Sequence, residues 1–163
     1  MFTSHTINSC KKMLHDYYEF NNFIDHMLAN MEEEINEESN NVDQKDKEVY
    51  ENIKTIRSEL ESLHKELKIS IAARNEEKTM QNLTITLKVL KSLQQEFEKA
   101  VEEGLIEFLF NLAALGINHL HSIIERIVSK SHLKWRKREV HMPYCAQGYG
   151  AYKANYSQPS ANN

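Results

Sequence analysis

The sequence has few of the residues that end helices and form turns. Its 163 residues include 4 glycines and 2 prolines, and no proline occurs before Pro143. A chain of strands joined by tight turns needs more of both, because these residues adopt the backbone angles that turns require. The scarcity predicts that residues 1–142 are nearly all helical. We expect an elongated all-α fold, a helical coiled coil or helical hairpin bundle, followed by a disordered C-terminal tail.

Cysteine is also scarce, and its positions exclude several kinds of site. Cys10 and Cys145 are the 2 cysteines, and they stand far apart in the chain. Their separation matches no metal-binding or redox spacing, so we expect two reduced thiols. The first residues lack the apolar core of a secretory signal. These features favour a cytoplasmic or nuclear protein, and they are compatible with association with the cytoskeleton.

The motifs of common enzymes are missing as well. The chain has no Gly-x-Ser-x-Gly sequence and no glycine-rich phosphate loop. Two short patterns contain metal-ligand residues, namely Glu61-x-x-His64 and the pair of His121 with Glu125. Each places only two ligands on one helix face, which is half of a metal site at most. We therefore expect no catalytic residues, no metal, no cofactor and no small-molecule substrate.

Charge is distributed unevenly along the chain. The net charge is −4, but residues 1–129 carry 14 Lys and Arg against 23 Asp and Glu, whereas residues 130–163 carry 6 against 1. An acidic body with a basic end indicates that the end meets something anionic. Nucleic acid, a membrane surface and an acidic protein tail all fit this description.

The clearest pattern present is a heptad repeat between Val49 and Leu67. Apolar residues recur at alternating spacings of four and three, with charges of both signs between them. Fully burying six such side chains stabilises by about 9–18 kcal/mol. Ordering about 20 residues costs about 20–40 kcal/mol, so this helix needs a partner, from this chain or another. The repeat consists of Val49, Ile53, Ile56, Leu60, Leu63 and Leu67.

The apolar pattern resumes at Met80 with its phase shifted by one position. A phase break near 72–79 indicates either a turn or a bent continuous helix. Asn75 followed by Glu76 and Glu77 is suited to a helix N-terminus. We interpret both repeats as a seam that binds other coiled-coil proteins, in a hetero-oligomer in preference to a homodimer. The second repeat consists of Met80, Leu83, Leu87, Leu90, Phe97 and Val101.

The N-terminal part divides into a helix and a polar segment. Residues 1–35 are predicted to form an amphipathic helix with a broad apolar face, which is typical of burial in a bundle. Residues 36–48 contain a single apolar residue among Asn, Ser and Asp, and they favour a loop. The spacing of Ile35, Val42 and Val49, seven apart, also permits a continuous helix.

Residues 49–131 are predicted to form long coiled-coil helices, the last of which spans about 79–131 and becomes strongly apolar after Gly104. No Asp, Glu, Lys or Arg occurs from Phe108 to Ile124. We interpret 105–128 as a helix buried in an assembly, because its Asn and His side chains are costly in lipid. Gly116 allows another helix to approach closely. The positions expected to be buried are Leu105, Phe108, Leu109, Leu112, Leu120, Ile123 and Ile127.

Residues 132–163 consist of a basic cluster, which begins just before them at Lys130, and a tail rich in Gly, Ser, Asn and Tyr. Cations offset a helix dipole, but five in nine residues exceed that need. The cluster is a candidate for binding a phosphate backbone, an anionic membrane or an acidic protein tail, and a nuclear-import signal is another interpretation. The candidate residues are Lys130, Lys134, Trp135, Arg136, Lys137 and Arg138.

Taken together, these patterns favour a non-enzymatic structural or scaffold subunit of a hetero-oligomeric protein complex. In heptads, size and charge pattern the chain resembles small coiled-coil subunits of spindle, kinetochore and vesicle-tethering complexes, such as augmin subunits. That resemblance implies a role in the cytoskeleton or in cell division. One alternative is a membrane-associated adaptor that uses 105–128 and the basic cluster. The other is a nucleic-acid-binding coiled-coil dimer, although a bZIP protein places its basic region before the zipper.

Overall fold

A computed structural model describes residues 2–37, 44–102 and 107–131 of the chain. The elements in these ranges are four helices, α1 (Ser4–Glu37), α2 (Gln44–Ala72), α3 (Glu76–Glu102) and α4 (Glu107–Ser129). The fold is all-α and elongated, since α1 alone is about 50 Å long at about 1.5 Å per residue. The tail that the sequence predicts to be disordered, 132–163, lies outside the described residues.

Each helix packs against its neighbours in sequence, and α4 closes the ring against α1. Contacts between α1 and α2 run in opposite directions along the two helices. Tyr17 donates a hydrogen bond to the carbonyl of Leu60 at 2.7 Å, and Tyr50 donates to Glu32 at 3.4 Å. The same antiparallel order holds between α2 and α3 and between α1 and α4. The chain is therefore an up-down-up-down four-helix bundle.

The phase break near 72–79 is a turn rather than a bend in one helix. Arg74 lies in the left-handed region with φ of 54°. Its N–H donates to Ile71 O at 3.0 Å, and the N–H of Asn75 donates to Ser70 O at 2.9 Å. These two bonds form the Schellman motif, which satisfies the last carbonyls of a helix. The turn thus ends α2 without a glycine.

The start of α3 follows directly from this turn. The side-chain oxygen of Asn75 accepts a hydrogen bond from the N–H of Lys78 at 3.1 Å. Glu76 and Glu77 stand in the first turn, where their charge is favourable beside the positive end of the helix dipole. The interpretation of Asn75 as an N-cap is confirmed.

The prediction of one helix over 79–131 is wrong. α3 ends at Glu102 and α4 begins at Glu107, with 103–106 outside the described residues. The two helices pack together, and the rings of Phe97 and Phe110 have their centroids 5.4 Å apart. The sequence pattern changes at Gly104, between two amphipathic helices. The apolar stripe of each helix needs a partner, and the stripes of α3 and α4 pack against each other.

The segment predicted as a polar loop is shorter than expected. α1 continues to Glu37 and α2 begins at Gln44, so helical residues cover both ends of 36–48. Its centre, 38–43, lies outside the described residues. At its other end, α1 begins at Ser4, where the N–H of Thr6 donates to the hydroxyl of Thr3 at 3.1 Å.

Arg57 fixes the register between α1 and α2. Its guanidinium donates to the carboxylate of Asp25 at 2.8 Å and to the carbonyl of Asn21 at 3.3 Å, both on α1. It also donates to Glu61 on its own helix at 3.1 Å. Planar guanidinium groups suit such multiple contacts, so Arg57 specifies how far one helix is shifted along the other.

Candidate functional site

The heptad seams form the interior of the bundle. All of their members whose side chains are described are buried, together with α1 residues such as Met13, Tyr17 and Ile24. The side chain of Val101 lies outside the description. The buried seam residues are Val49, Ile53, Ile56, Leu60, Leu63, Leu67, Met80, Leu83, Leu87, Leu90 and Phe97.

Within this chain the seams are interior, and their interpretation as a surface for other coiled-coil proteins stays a prediction. The helix that needs a partner finds it in the same chain, because α2 packs on both α1 and α3. Side chains that are already buried are not available to a second protein. The folded bundle offers other molecules the side chains on the outer faces of its helices.

Helix α4 presents one apolar stripe to the bundle and a different face to solvent. The residues of the inner stripe are buried and recur three and four positions apart, as in the other helices. They are Phe110, Ala113, Ile117, Leu120, Ile124 and Ile127. A Cβ atom at Gly116 would lie 3.0 Å from Cδ1 of Phe20, so this glycine lets α1 approach α4 closely, as the sequence predicts.

The solvent face of α4 is uncharged and partly apolar. Leu115 is 65% exposed and Leu112 is 40% exposed. No Asp, Glu, Lys or Arg occurs from 108 to 124. Four exposed residues on this face are spaced three, four and three apart, and we call them the outer stripe. They are Leu112, Leu115, His119 and Ser122.

The residues predicted for a buried assembly helix divide between these two faces. Leu120 and Ile127 are buried, and Ile123 is half-buried. Leu112 is exposed in this chain, and its predicted burial in an assembly stays a prediction. It stands two positions after Phe110, which places it on the opposite side of a helix with 3.6 residues per turn. The side chains of Leu105, Phe108 and Leu109 lie outside the description.

The apolar character of α4 does not extend to the length of a bilayer. None of the helices in the described ranges is long and apolar enough to cross a membrane. The polar side chains that interrupt it, Asn111, Asn118 and His119, are exposed.

A groove lies between the first turns of α1 and the last turns of α4. It has a volume of about 300 Å³, and we call it the α1–α4 groove. Its apolar part consists of Met13, Ile123 and Ile127, and its cations are Lys12, Arg126 and Lys130. The remaining lining residues are His5, Thr6, Ser9 and Asp16.

The charge of this groove contrasts with that of the body around it. Within the described ranges, no carboxylate forms an ion pair with Lys12, Arg126 or Lys130. Asp16 is the acidic residue of the lining and stands four positions after Lys12 on α1, with its carboxylate 3.9 Å from Nε2 of His119. The groove lining therefore has three basic side chains against one carboxylate and carries a net positive charge.

The groove includes the first residue of the predicted basic cluster. Lys130 follows the end of α4 and is exposed. The other candidates lie outside the described residues, so the structure does not test them. They are Lys134, Trp135, Arg136, Lys137 and Arg138.

Two histidines lie between helices in half-buried positions. Nε2 of His64 on α2 is 3.2 Å from Leu14 O on α1. The ring of His64 packs edge-on against that of Tyr17, with the ring centroids 4.9 Å apart. Burial lowers the pKa of His64 below its usual value. Burial likewise lowers the pKa of His121, whose Nδ1 is 3.7 Å from Glu125. Both rings are therefore held in the neutral form at neutral pH.

The described residues contain no cluster of metal ligands and no reactive cysteine. Among them, no three His, Cys, Asp or Glu side chains are grouped as metal ligands. Cys10 is a fully buried free thiol, and burial with the nearby charge of Glu76 raises its pKa to about 11. Because the thiolate is the nucleophilic form, this cysteine is unreactive.

Comparison with known proteins gives no relative from which a function can be transferred. Neither family models, nor curated proteins, nor solved structures match the chain. Its function has to be inferred from its own surfaces.

Two of these surfaces contain residues that the sequence analysis missed. Leu115 belongs to a stripe at heptad spacing, which is a signal visible in the sequence. Lys12 and Arg126 come from opposite ends of the bundle's sequence, and only the packing of α1 against α4 brings them together.

Proposed function

We propose that the protein is a non-enzymatic structural subunit that binds a partner protein through the outer stripe of α4. The observation that carries the proposal is the exposure of Leu115, 65%, beside Leu112 on a face without charge. Apolar surface buried by a partner contributes about 25 cal/mol per Å². A stripe at heptad spacing offers the geometry that a second helix needs to pack along it.

The composition of the stripe favours a helix of a different protein over a second copy. In an antiparallel pair centred on the stripe, Leu115 faces His119 of the copy and Leu112 faces Ser122, so leucines oppose polar side chains. The described ranges also carry 15 Lys and Arg against 20 Asp and Glu, and two acidic bodies repel each other. A partner with apolar residues opposite the leucines avoids both costs.

The described chemistry supports a role without catalysis. The thiol of Cys10 is buried and protonated, and the described acid–histidine contacts have N–O distances of 3.7 to 3.9 Å. General acid–base or nucleophilic catalysis needs a base, a nucleophile and a place for the substrate within reach of one another. The described lining of the α1–α4 groove contains no cysteine, and no hydrogen bond or ion pair joins its His5, Ser9 and Asp16 side chains to one another.

The kind of assembly follows only from the resemblance in size and heptad content. Small helical subunits of spindle, kinetochore and vesicle-tethering complexes share these properties. Such hetero-oligomers are the first place to look for the partner.

Affinity purification from the cells that make the protein tests this proposal. The variant Leu112→Glu/Leu115→Glu places two charges on the outer stripe. Tyr18→Glu/Ile69→Glu is the matched control, because these residues are 55% and 70% exposed and lie on α1 and α2. We expect mass spectrometry at high salt to find the same helical partner with the wild type and the control, and at least tenfold less of it with the α4 variant.

Two results would contradict the proposal. Equal recovery of the partner by both variants would show that the outer stripe is not its binding surface. A dimer of the purified wild type by light scattering, lost in the α4 variant, would show that a second copy covers the stripe. Melting followed by circular dichroism checks that both variants are folded.

A further inference from the structure

We propose that the α1–α4 groove binds an acidic segment of a protein, with carboxylates against Lys12, Arg126 and Lys130 and an apolar side chain against the groove's apolar part. This site is separate from the outer stripe and does not depend on the function proposed for it. The juxtaposition of three cations from two helices over Met13, Ile123 and Ile127 carries the inference.

The cations are not explained by the needs of the bundle. Arg126 and Lys130 stand four residues apart on one face, an arrangement of like charges that destabilises a helix by about 0.2–0.5 kcal/mol. Their place at the end of α4 offsets part of this through the helix dipole. Lys12 stands in the third turn of α1, too far from either helix end for that effect, and it still lines the same groove.

The lack of ion pairs makes these cations available to a ligand. Arg57 has the carboxylate of Asp25 at 2.8 Å and Lys65 has that of Glu61 at 3.8 Å. Several exposed lysines outside the groove, such as Lys11 and Lys68, form no ion pair with a described carboxylate, as is common for surface lysines. The three groove cations form no such pair with the described carboxylates. Converging positive charge attracts an anion and raises its rate of association.

The lining distinguishes an acidic peptide from a nucleic acid. A phosphate backbone presents charge at every step and gains nothing from apolar contact, whereas Ile123 is half-buried and open to the groove. Asp16 adds a negative charge to the lining, which disfavours a continuous polyanion. The volume of about 300 Å³ is at the lower end of ligand pockets and suits a few side chains.

The sequence that follows Lys130 is also basic. Four further Lys and Arg residues occur between positions 131 and 138, and Glu139 is the single acidic residue after them. Long-range positive charge steers an acidic ligand without contacting it. The groove supplies the contacts that select among such ligands.

Fluorescence anisotropy with the full chain and a labelled ten-residue peptide of seven Glu and three Leu tests the inference. Lys12→Glu/Arg126→Glu reverses two cations of the groove. Lys11→Glu/Lys68→Glu is the matched control, because it changes net charge equally at two exposed lysines outside the groove. We expect Kd to rise at least tenfold for the groove variant and to stay within twofold for the control.

Several outcomes would overturn the inference. Wild type that does not bind the peptide, or equal weakening by both variants, would show that the groove makes no specific contact. A peptide of seven Glu and three Gly that binds equally well would exclude a role for the apolar part. A ten-residue uridine RNA that binds more tightly, and is lost in the groove variant, would make the ligand a nucleic acid. Circular dichroism confirms that both variants fold.

Discussion

Tyr17 and Tyr18 are adjacent in the sequence and lie in different environments. Tyr17 is fully buried, and its hydroxyl donates to Leu60 O at 2.7 Å. Tyr18 is 55% exposed, with its ring 6.4 Å from that of His64. Burial raises the pKa of Tyr17 far above its usual value, so this residue is a permanent hydrogen-bond donor between α1 and α2.

Removing the two hydroxyls one at a time measures what each tyrosine contributes to stability. We expect Tyr17→Phe to lower the free energy of unfolding by about 1 kcal/mol, the usual net value of a hydrogen bond between neutral groups. We expect Tyr18→Phe, the matched control, to leave the free energy of unfolding unchanged, because the side chain of Tyr18 is exposed to water. Urea unfolding followed by circular dichroism measures both. Equal effects would show that the bond to Leu60 contributes nothing.

The sequence predicts some of this at the residue scale and not the rest. The periodicity of 8–35 places Tyr17 on the apolar face of its helix. It contains no information about Leu60, because the acceptor is a backbone carbonyl on another helix. The same limit applies to Lys12 and Arg126, whose meeting depends on which helices are neighbours.

At the scale of elements, the turn between α2 and α3 is unusual because Arg74 adopts φ of 54°. A side chain in this region brings Cβ close to the following carbonyl and costs about 1–2 kcal/mol. Glycine avoids the cost and is the usual residue at this position of a Schellman motif. The chain therefore has a removable strain between two of its helices.

Substitution of Arg74 should release that strain. We expect Arg74→Gly to raise the free energy of unfolding by about 0.5–1 kcal/mol, since the loss of strain exceeds the added freedom of the unfolded chain. Arg74→Ala keeps a Cβ atom and serves as the control, with no gain expected. Thermal and urea unfolding measure both variants. An equal gain in the two variants would point to the charge of Arg74 instead of its backbone.

The heptad patterns predict where helices have their apolar faces, but they do not predict which helices pair. The seam from Val49 to Leu67 is a buried stripe, and within this chain it packs against α1 and α3. The turn at Arg74 was one of two open alternatives because 72–79 contains neither Gly nor Pro. The helix predicted over 79–131 is too long, because a single glycine is a weak helix stop and the change of apolar pattern at Gly104 also permits one continuous helix.

For the whole molecule, the two half-buried histidines connect stability to pH. The neighbours that affect the pKa of His64 are the carbonyl of Leu14, Lys68, Arg57 and Glu61. His121 of α4 is affected by Glu125 and by Lys91 of α3. In both cases burial dominates and lowers the pKa, so the folded protein binds protons less readily than the unfolded chain does.

Linkage gives the sign of the resulting pH dependence. The contribution of the two histidines to stability is fully present above the pKa of histidine in the unfolded chain, about 6.5. It decreases as the pH falls below that value towards the lowered pKa values of the folded protein. We expect the free energy of unfolding of the wild type to fall between pH 7.5 and 5.5. The variant His64→Gln/His121→Gln should show a smaller decrease, which urea unfolding across this range measures. An unchanged decrease would assign the effect to other groups.

The contact of Phe20 with Gly116 sets an order of events during synthesis. Helices α1, α2 and α3 each meet a sequence neighbour soon after it is made, which is typical of fast-folding bundles. The α4 residue that covers Phe20 follows it by about a hundred residues, or roughly 5–20 s at about 5–20 residues per second on the ribosome. During that interval the nascent chain exposes an apolar face long enough for a chaperone or an assembly partner to bind it.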